Sequence, residues 1–132
     1  MKVCVTGSRS INEAEKVFPA IDRFLRENTH GNITFLCGDG KGIDQLIQEY
    51  AKKNGIDVVK FLPYHLIDNR SRFNSKFFFI RTKQMLDNAD KVLAIWDTKS
   101  KGTEYAIKYS QKHSKPIMIL KSPWQKYLYT VL

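Results

Sequence analysis

Two cysteines in 132 residues are too few for a disulfide scaffold, and they fit a reducing, cytoplasmic setting. No apolar run approaches the roughly 20 residues needed to cross a bilayer, so no membrane partner is expected. The opening Met1-Lys2-Val3-Cys4-Val5 leads straight into a strand-like pattern, and no signal peptide is expected. Repeats, low-complexity tracts and linkers are missing too, which predicts one domain over residues 1–132 built on one core. His30, His65 and His113 lack the spacing of a zinc site. A phosphate loop ending in Gly-Lys-Ser/Thr, a three-glycine dinucleotide fingerprint and a nucleophile elbow are all absent. ATP hydrolysis and NAD chemistry are therefore not expected, nor is a metal or other cofactor. Acid is missing from one stretch: residues 105–132 hold five lysines and no Asp or Glu, whereas residues 1–104 hold 17 basic and 13 acidic side chains.

What is present is a globular composition, with 42% hydrophobic and 27% charged residues and a net charge of +9. Short apolar blocks at Val3–Thr6, Ile33–Cys37, Val58–Leu62, Val92–Trp96 and Ile117–Leu120 lack polar alternation, as strands covered on both faces do. Helix-period segments separate them. Val17, Phe18, Ile21, Phe24 and Leu25 form one stripe, preceded by Ser10 and Glu13 in the form of a capping box. Ile43, Leu46, Ile47, Tyr50 and Ala51 form a second, stopped at Asn54-Gly55. A third helix is expected over Ser75–Asn88 and a fourth over Thr103–Lys112. Pro63–Asn74 shows no period and reads as a loop or short irregular helix, and Pro123–Leu132 as a short helix or added edge segment. The fold class is α/β: a Rossmann-like three-layer sandwich with a mostly parallel sheet of about five strands.

Ligands of open parallel sheets bind beyond the carboxyl ends of the strands. Three strand-to-helix turns carry the unusual residues: Thr6-Gly7-Ser8-Arg9-Ser10, Gly38-Asp39-Gly40-Lys41-Gly42-Ile43-Asp44, and Asp97 through Lys101-Gly102-Thr103-Glu104. Glycine permits a tight turn and close approach, and the following helix start offers unpaired N–H groups to an anion. Ser8, Ser10 and Thr103 add hydroxyls, while Arg9, Lys41 and Lys101 add charge. Asp44 and Asp97 are read either as ligand contacts or as braces of their loops, and Glu104 as a ribose contact, a general base or a surface acid. Cys4 and Cys37 are expected as buried thiols. Phe77-Phe78-Phe79 is expected in the core or at a dimer interface, with a base-stacking ring as the alternative; Trp96 and Trp124 are expected to pack, with a place bordering the ligand as the alternative for Trp96 at its strand's carboxyl end.

The ordered set Gly7-Ser8-Arg9-Ser10, Gly38 to Asp44, Arg81 with Met85, and Trp96-Asp97 before Gly102-Thr103 resembles the SLOG superfamily, specifically its small YspA/YpsA-related members. That resemblance spans about residues 1–120. It implies a nucleotide-derived ligand, ADP-ribose-like or a cyclic nucleotide, bound by Gly7, Ser8 and Arg9 on one wall and Gly38, Asp39, Gly42 and Asp44 on the other. Gly102, Thr103 and Glu104 would form the phosphate-binding helix start. It further implies a sensor or sequestering protein, with phage–host immune signalling as one use, and a homodimer paired through the third and fourth helices. Two relatives imply alternatives. Lonely Guy phosphoribohydrolases, N-glycosidic hydrolases, match at Arg81 and Met85, which makes Arg81 and Glu104 the catalytic pair; their Pro-Gly-Gly approach is replaced here by Thr98-Lys99-Ser100-Lys101. DprA, which binds single-stranded DNA, shares the Gly-Ser-Arg turn and the Gly-Ile-Asp loop. Of the cations, only Arg9, Lys41, Lys99, Lys101 and Arg81 are positioned to meet an anion at the strand ends.

Overall fold

Side chains of a strand alternate between the two faces of its sheet, and in this chain both faces are apolar. Val3 and Val5, Phe35 and Cys37, Leu93 and Ile95, and Met118 and Leu120 point into one core; Cys4, Leu36, Val92 and Ala94, and Ile117 and Ile119 point into the other. Unbroken apolar runs are therefore required, and helices must cover both faces. The computed structural model describes residues 1–63, 66, 72 and 74–121, with the backbone of 128–130. Strands β1 (Lys2–Gly7), β2 (Thr34–Cys37), β3 (Asp57–Lys60), β4 (Lys91–Trp96), β5 (Ile117–Lys121) and β6 (Leu128–Thr130) form one sheet in the order β3-β2-β1-β4-β5-β6. The first five are parallel, and β6 runs antiparallel along β5.

Helices α1 (Ala14–Asn28) and α2 (Ile43–Asn54) cover one face, placing Val17, Ile21, Phe24, Ile43, Leu46 and Ile47 in its core. Helices α3 (Lys76–Asn88) and α4 (Lys101–Lys112) cover the other with Met85, Leu86, Ala106 and Ile107. The arrangement is the expected Rossmann-like sandwich. No helix among the described residues is long and apolar enough to cross a membrane.

Three local expectations need correction. The capping box does not form: Glu13 is the N-cap residue of α1 with no side-chain cap bond, and the Ser10 hydroxyl donates instead to Asp97 at 2.7 Å. β3 covers Asp57–Lys60, not Val58–Leu62, and as an edge strand it leaves Val59 exposed. α4 begins at Lys101, two residues before the expected Thr103, because Ser100 is already fixed by Asp97. Gly102 and Thr103 thus lie in its first turn rather than in a loop. α2 ends as read, with Gly55 at φ +64° and its N–H bonded to the Ala51 carbonyl. Of Pro63–Asn74, residues 64, 65, 67–71 and 73 lie outside the described residues, as does Trp124; within Pro123–Leu132 the described stretch 128–130 is an edge strand.

The two cysteines sit on adjacent strands but in opposite cores, so they cannot meet. Burial pushes the Cys37 thiol up to about 12 and raises that of Cys4 as well. Both should therefore resist thiol reagents in the native protein. Ellman's reagent should report no reactive thiol until denaturant is added and two thereafter; rapid native labelling would contradict this packing.

Candidate functional site

The sheet order reverses between β1 and β4, which start their crossovers in opposite directions and leave a crevice at their carboxyl ends. β1 enters this crevice through Gly7, where an added Cβ would lie 2.4 Å from Ile43 Cγ1 and 2.6 Å from the Ile95 carbonyl. Only glycine lets the strand end pass that closely beneath the start of α2.

Ser8, 1% exposed, then ties the loops together. Its N–H donates to the Ile95 carbonyl at 3.0 Å, its hydroxyl accepts from the Asp97 N–H at 2.9 Å, and its carbonyl accepts from Ile11 and Ile43. Asp97 completes the junction. Its carboxylate accepts from the Ser10 hydroxyl, the Lys99 and Ser100 N–H groups, and the Ser100 hydroxyl, all within 2.7–2.9 Å. Burial pushes the Asp97 carboxyl upward, but these hydrogen bonds outweigh it and hold the group well below the usual carboxylate range.

The loop after β2 forms the adjoining wall. Gly42 has φ +68°, and a Cβ there would lie 2.5 Å from the Ser8 carbonyl oxygen. Asp44 folds back to accept from the Gly40 N–H at 2.9 Å, and burial raises its carboxyl despite that bond and the nearby Arg81. Arg81 Nη1 reaches Asp39 Oδ1 at 3.1 Å, with side chains only 11% and 18% exposed. A Cβ on Gly38 would sit 2.2 Å from that same Nη1, so glycine makes room for the guanidinium. Arg81 Nε is buried with no hydrogen-bond partner.

These walls enclose a cavity of about 490 Å³. Thr6, Gly7, Ser8 and Arg9 border it from β1, Asp44 from α2, Phe78, Arg81 and Thr82 from α3, and residues 100–103 from the start of α4. The Phe78 ring lies 5.8 Å from the Arg9 guanidinium and 5.9 Å from that of Arg81. At α4 the N-cap residue Ser100 has no side-chain cap bond, since its hydroxyl serves Asp97. The first-turn amides and the positive end of that helix therefore face the cavity border uncapped, a favourable place for an anion.

The sequence model of the YspA, cpYpsA-related SLOG family matches residues 1–65, which include β1 to β3 and the loops after β1 and β2. Over this N-terminal stretch the chain matches the SLOG family. Comparison with the curated proteins and with the solved structures found no match.

The cavity brings together Gly7, Ser8, Arg9, Asp44, Lys101, Gly102, Thr103 and Arg81 of the residues expected from sequence. Ser10, Gly38, Asp39, Gly42 and Asp97 stand behind it as the braces described above, not along its border. Lys41 is exposed and does not border it. Glu104 borders a different depression, along the outer face of α4, and pairs with Lys108 at 3.5 Å, so the two residues of the expected catalytic pair line different cavities. Thr6, Phe78, Thr82 and Ser100 join the border without being expected there as site residues. Phe78 carries a sequence signal, one ring of a triple phenylalanine one turn before Arg81, but only the helix phase separates it from its neighbours. Among the described residues no group of three or more His, Cys, Asp or Glu side chains is arranged to hold a metal ion.

A carboxyl whose folded pKa lies below its unfolded value of about 3.9 adds stability above that value, and loses it as pH falls through the folded pKa. Asp97→Asn should accordingly lower the melting temperature at neutral pH and flatten its decline in acid. Parallel acid slopes for the two proteins would show that the Asp97 charge does not stabilise the junction. Two glycines give opposite expectations. Gly42→Ala should destabilise by at least about 1–2 kcal/mol from the left-handed backbone alone, whereas Gly102→Ala, with nothing within 4 Å of the new Cβ, should stabilise by up to about 1 kcal/mol in urea titrations.

Proposed function

We propose that the cavity binds a phosphorylated, nucleoside-derived ligand, ADP-ribose-like or a cyclic nucleotide, and that the protein acts as a sensor or sequestering protein for it. The observation that carries this reading is the uncapped start of α4 facing Arg9 across the cavity between β1 and β4. A phosphate there would meet first-turn N–H groups, the Lys101 ammonium and the Arg9 guanidinium, all charge-assisted or dipole-aligned donors. The volume falls within the range of about 300–1,000 Å³ usual for small-ligand sites. Phe78 offers an apolar wall for a ribose or base, and the SLOG match of the N-terminal half fits a nucleotide-related ligand.

Binding is favoured over cleavage by the state of the acids. N-glycosidic hydrolysis needs a carboxylate near the anomeric carbon to position water or stabilise positive charge. Asp44 is the one carboxylate bordering the cavity among the described residues, and it is held by the Gly40 amide. Asp39 is engaged by Arg81, and Glu104 faces elsewhere.

A thermal-shift panel of ADP-ribose and cyclic mono- and dinucleotides tests the reading. One member should raise the melting temperature in a concentration-dependent way, since occupancy at 100 times Kd adds about 2.7 kcal/mol. Arg9→Ala should weaken that ligand by about 1.5–3 kcal/mol, the worth of a hydrogen bond to a charged group. A panel without any shift, or an Arg9→Ala protein of unchanged affinity, would overturn the proposal.

A further inference from the structure

The second depression, about 560 Å³, runs along the outer face of α4 beside α3. Its border carries four lysines, Lys83, Lys101, Lys108 and Lys112, against the one acid Glu104. Positions 101, 105, 108, 109, 112 and 113 recur at spacings of three and four, so they share one face of the helix. Interleaved with the ammonium groups is an aromatic row. Tyr105 stacks on Tyr109 with centroids 6.0 Å apart, Tyr109 packs tilted against His113 at 4.2 Å, and Phe79 of α3 meets Tyr105 edge-on at 4.9 Å. The Tyr109 hydroxyl donates to Asp87, which fixes that ring. Successive rings four residues apart rise by about 6 Å along the axis.

We infer that this face is a second binding site, for a single-stranded oligonucleotide, which adjoins the cavity between β1 and β4 at Lys101. Lysines spaced along the groove meet successive phosphates, and the outward edges of the ring row, with the exposed His113 at its end, pack against bases without reading their sequence. The charge selects this occupant over a second copy of the chain. A two-fold contact through this face would set the same lysine-rich surface against itself. An apolar partner would have to strip water from four ammonium groups with one carboxylate in return.

Fluorescence anisotropy with labelled ten-nucleotide oligo(dT) and oligo(U) provides the test, the two arms telling DNA from RNA through the 2′-hydroxyl. Binding should weaken steeply with salt. The double variant K108E/K112E alters two exposed side chains. It should bind at least tenfold more weakly, and its log–log salt slope should shrink by about 1.4, or about 0.7 for each phosphate that is no longer neutralised. Tyr105→Leu should weaken binding severalfold while Tyr105→Phe retains it, and Arg9→Ala should leave it within about twofold. Four results would overturn the inference: no oligonucleotide binding at low salt; unchanged affinity and slope in K108E/K112E; inorganic polyphosphate of equal charge competing as well as oligonucleotide, with Tyr105→Leu silent; or a change of oligomeric state in K108E/K112E without nucleic acid, which would assign the face to self-association.

Discussion

A single carboxylate organises the edge of this fold at the carboxyl ends of β1 and β4. Asp97 gathers donors from Ser10 on one side and from Lys99 and Ser100 on the other, while its own N–H is fixed by Ser8. Segments nearly ninety residues apart in sequence are thereby joined into one rigid rim. The same bonds decide the chemistry of α4. Serine at an N-cap normally turns its hydroxyl onto the first-turn amides, but Ser100 turns it to Asp97. The helix starts early and uncapped, and the cavity gains its donors from a side chain that is occupied elsewhere.

Charge on the opposite wall is held by a similar exchange. Arg81 is nearly buried, with Asp39 as its partner and Gly38 leaving the necessary space. Phe78 lies within reach of both Arg81 and Arg9, so a flat apolar surface stands between two cations. A buried ion pair of this kind contributes little net stability, but removing one partner strands the other and costs about 3–5 kcal/mol when burial is complete. Its value lies in fixing where the guanidinium points.

The sandwich was legible because its signals are dense and local. Apolar runs such as Val92–Trp96 have no solvent face to permit polar alternation, and the Asn54-Gly55 stop is a backbone requirement written in one residue. The glycine-bearing turns after β1 and β2 were legible for the same reason, since Gly7 and Gly42 answer to close approach or positive φ. Side-chain allegiance was not. Nothing in the order Ser10–Glu13 tells that Ser10 serves a carboxylate 87 positions away instead of capping α1. Glu104 follows Thr103 directly, yet a step of about 100° around a helix carries it from one face to another. Whether an acid borders a cavity depends on that phase, and the phase depends on where α4 begins, which Asp97 sets from outside the helix.

Lys101 borders both the cavity between β1 and β4 and the groove along α4. One ammonium cannot neutralise two anions at once. Occupancy of either site by a negatively charged ligand therefore lowers the positive potential felt at the other, and thermodynamic linkage makes that penalty identical in both directions. The first residue of one helix would thus couple the two surfaces negatively, with no movement of the backbone, so that each ligand tends to displace the other.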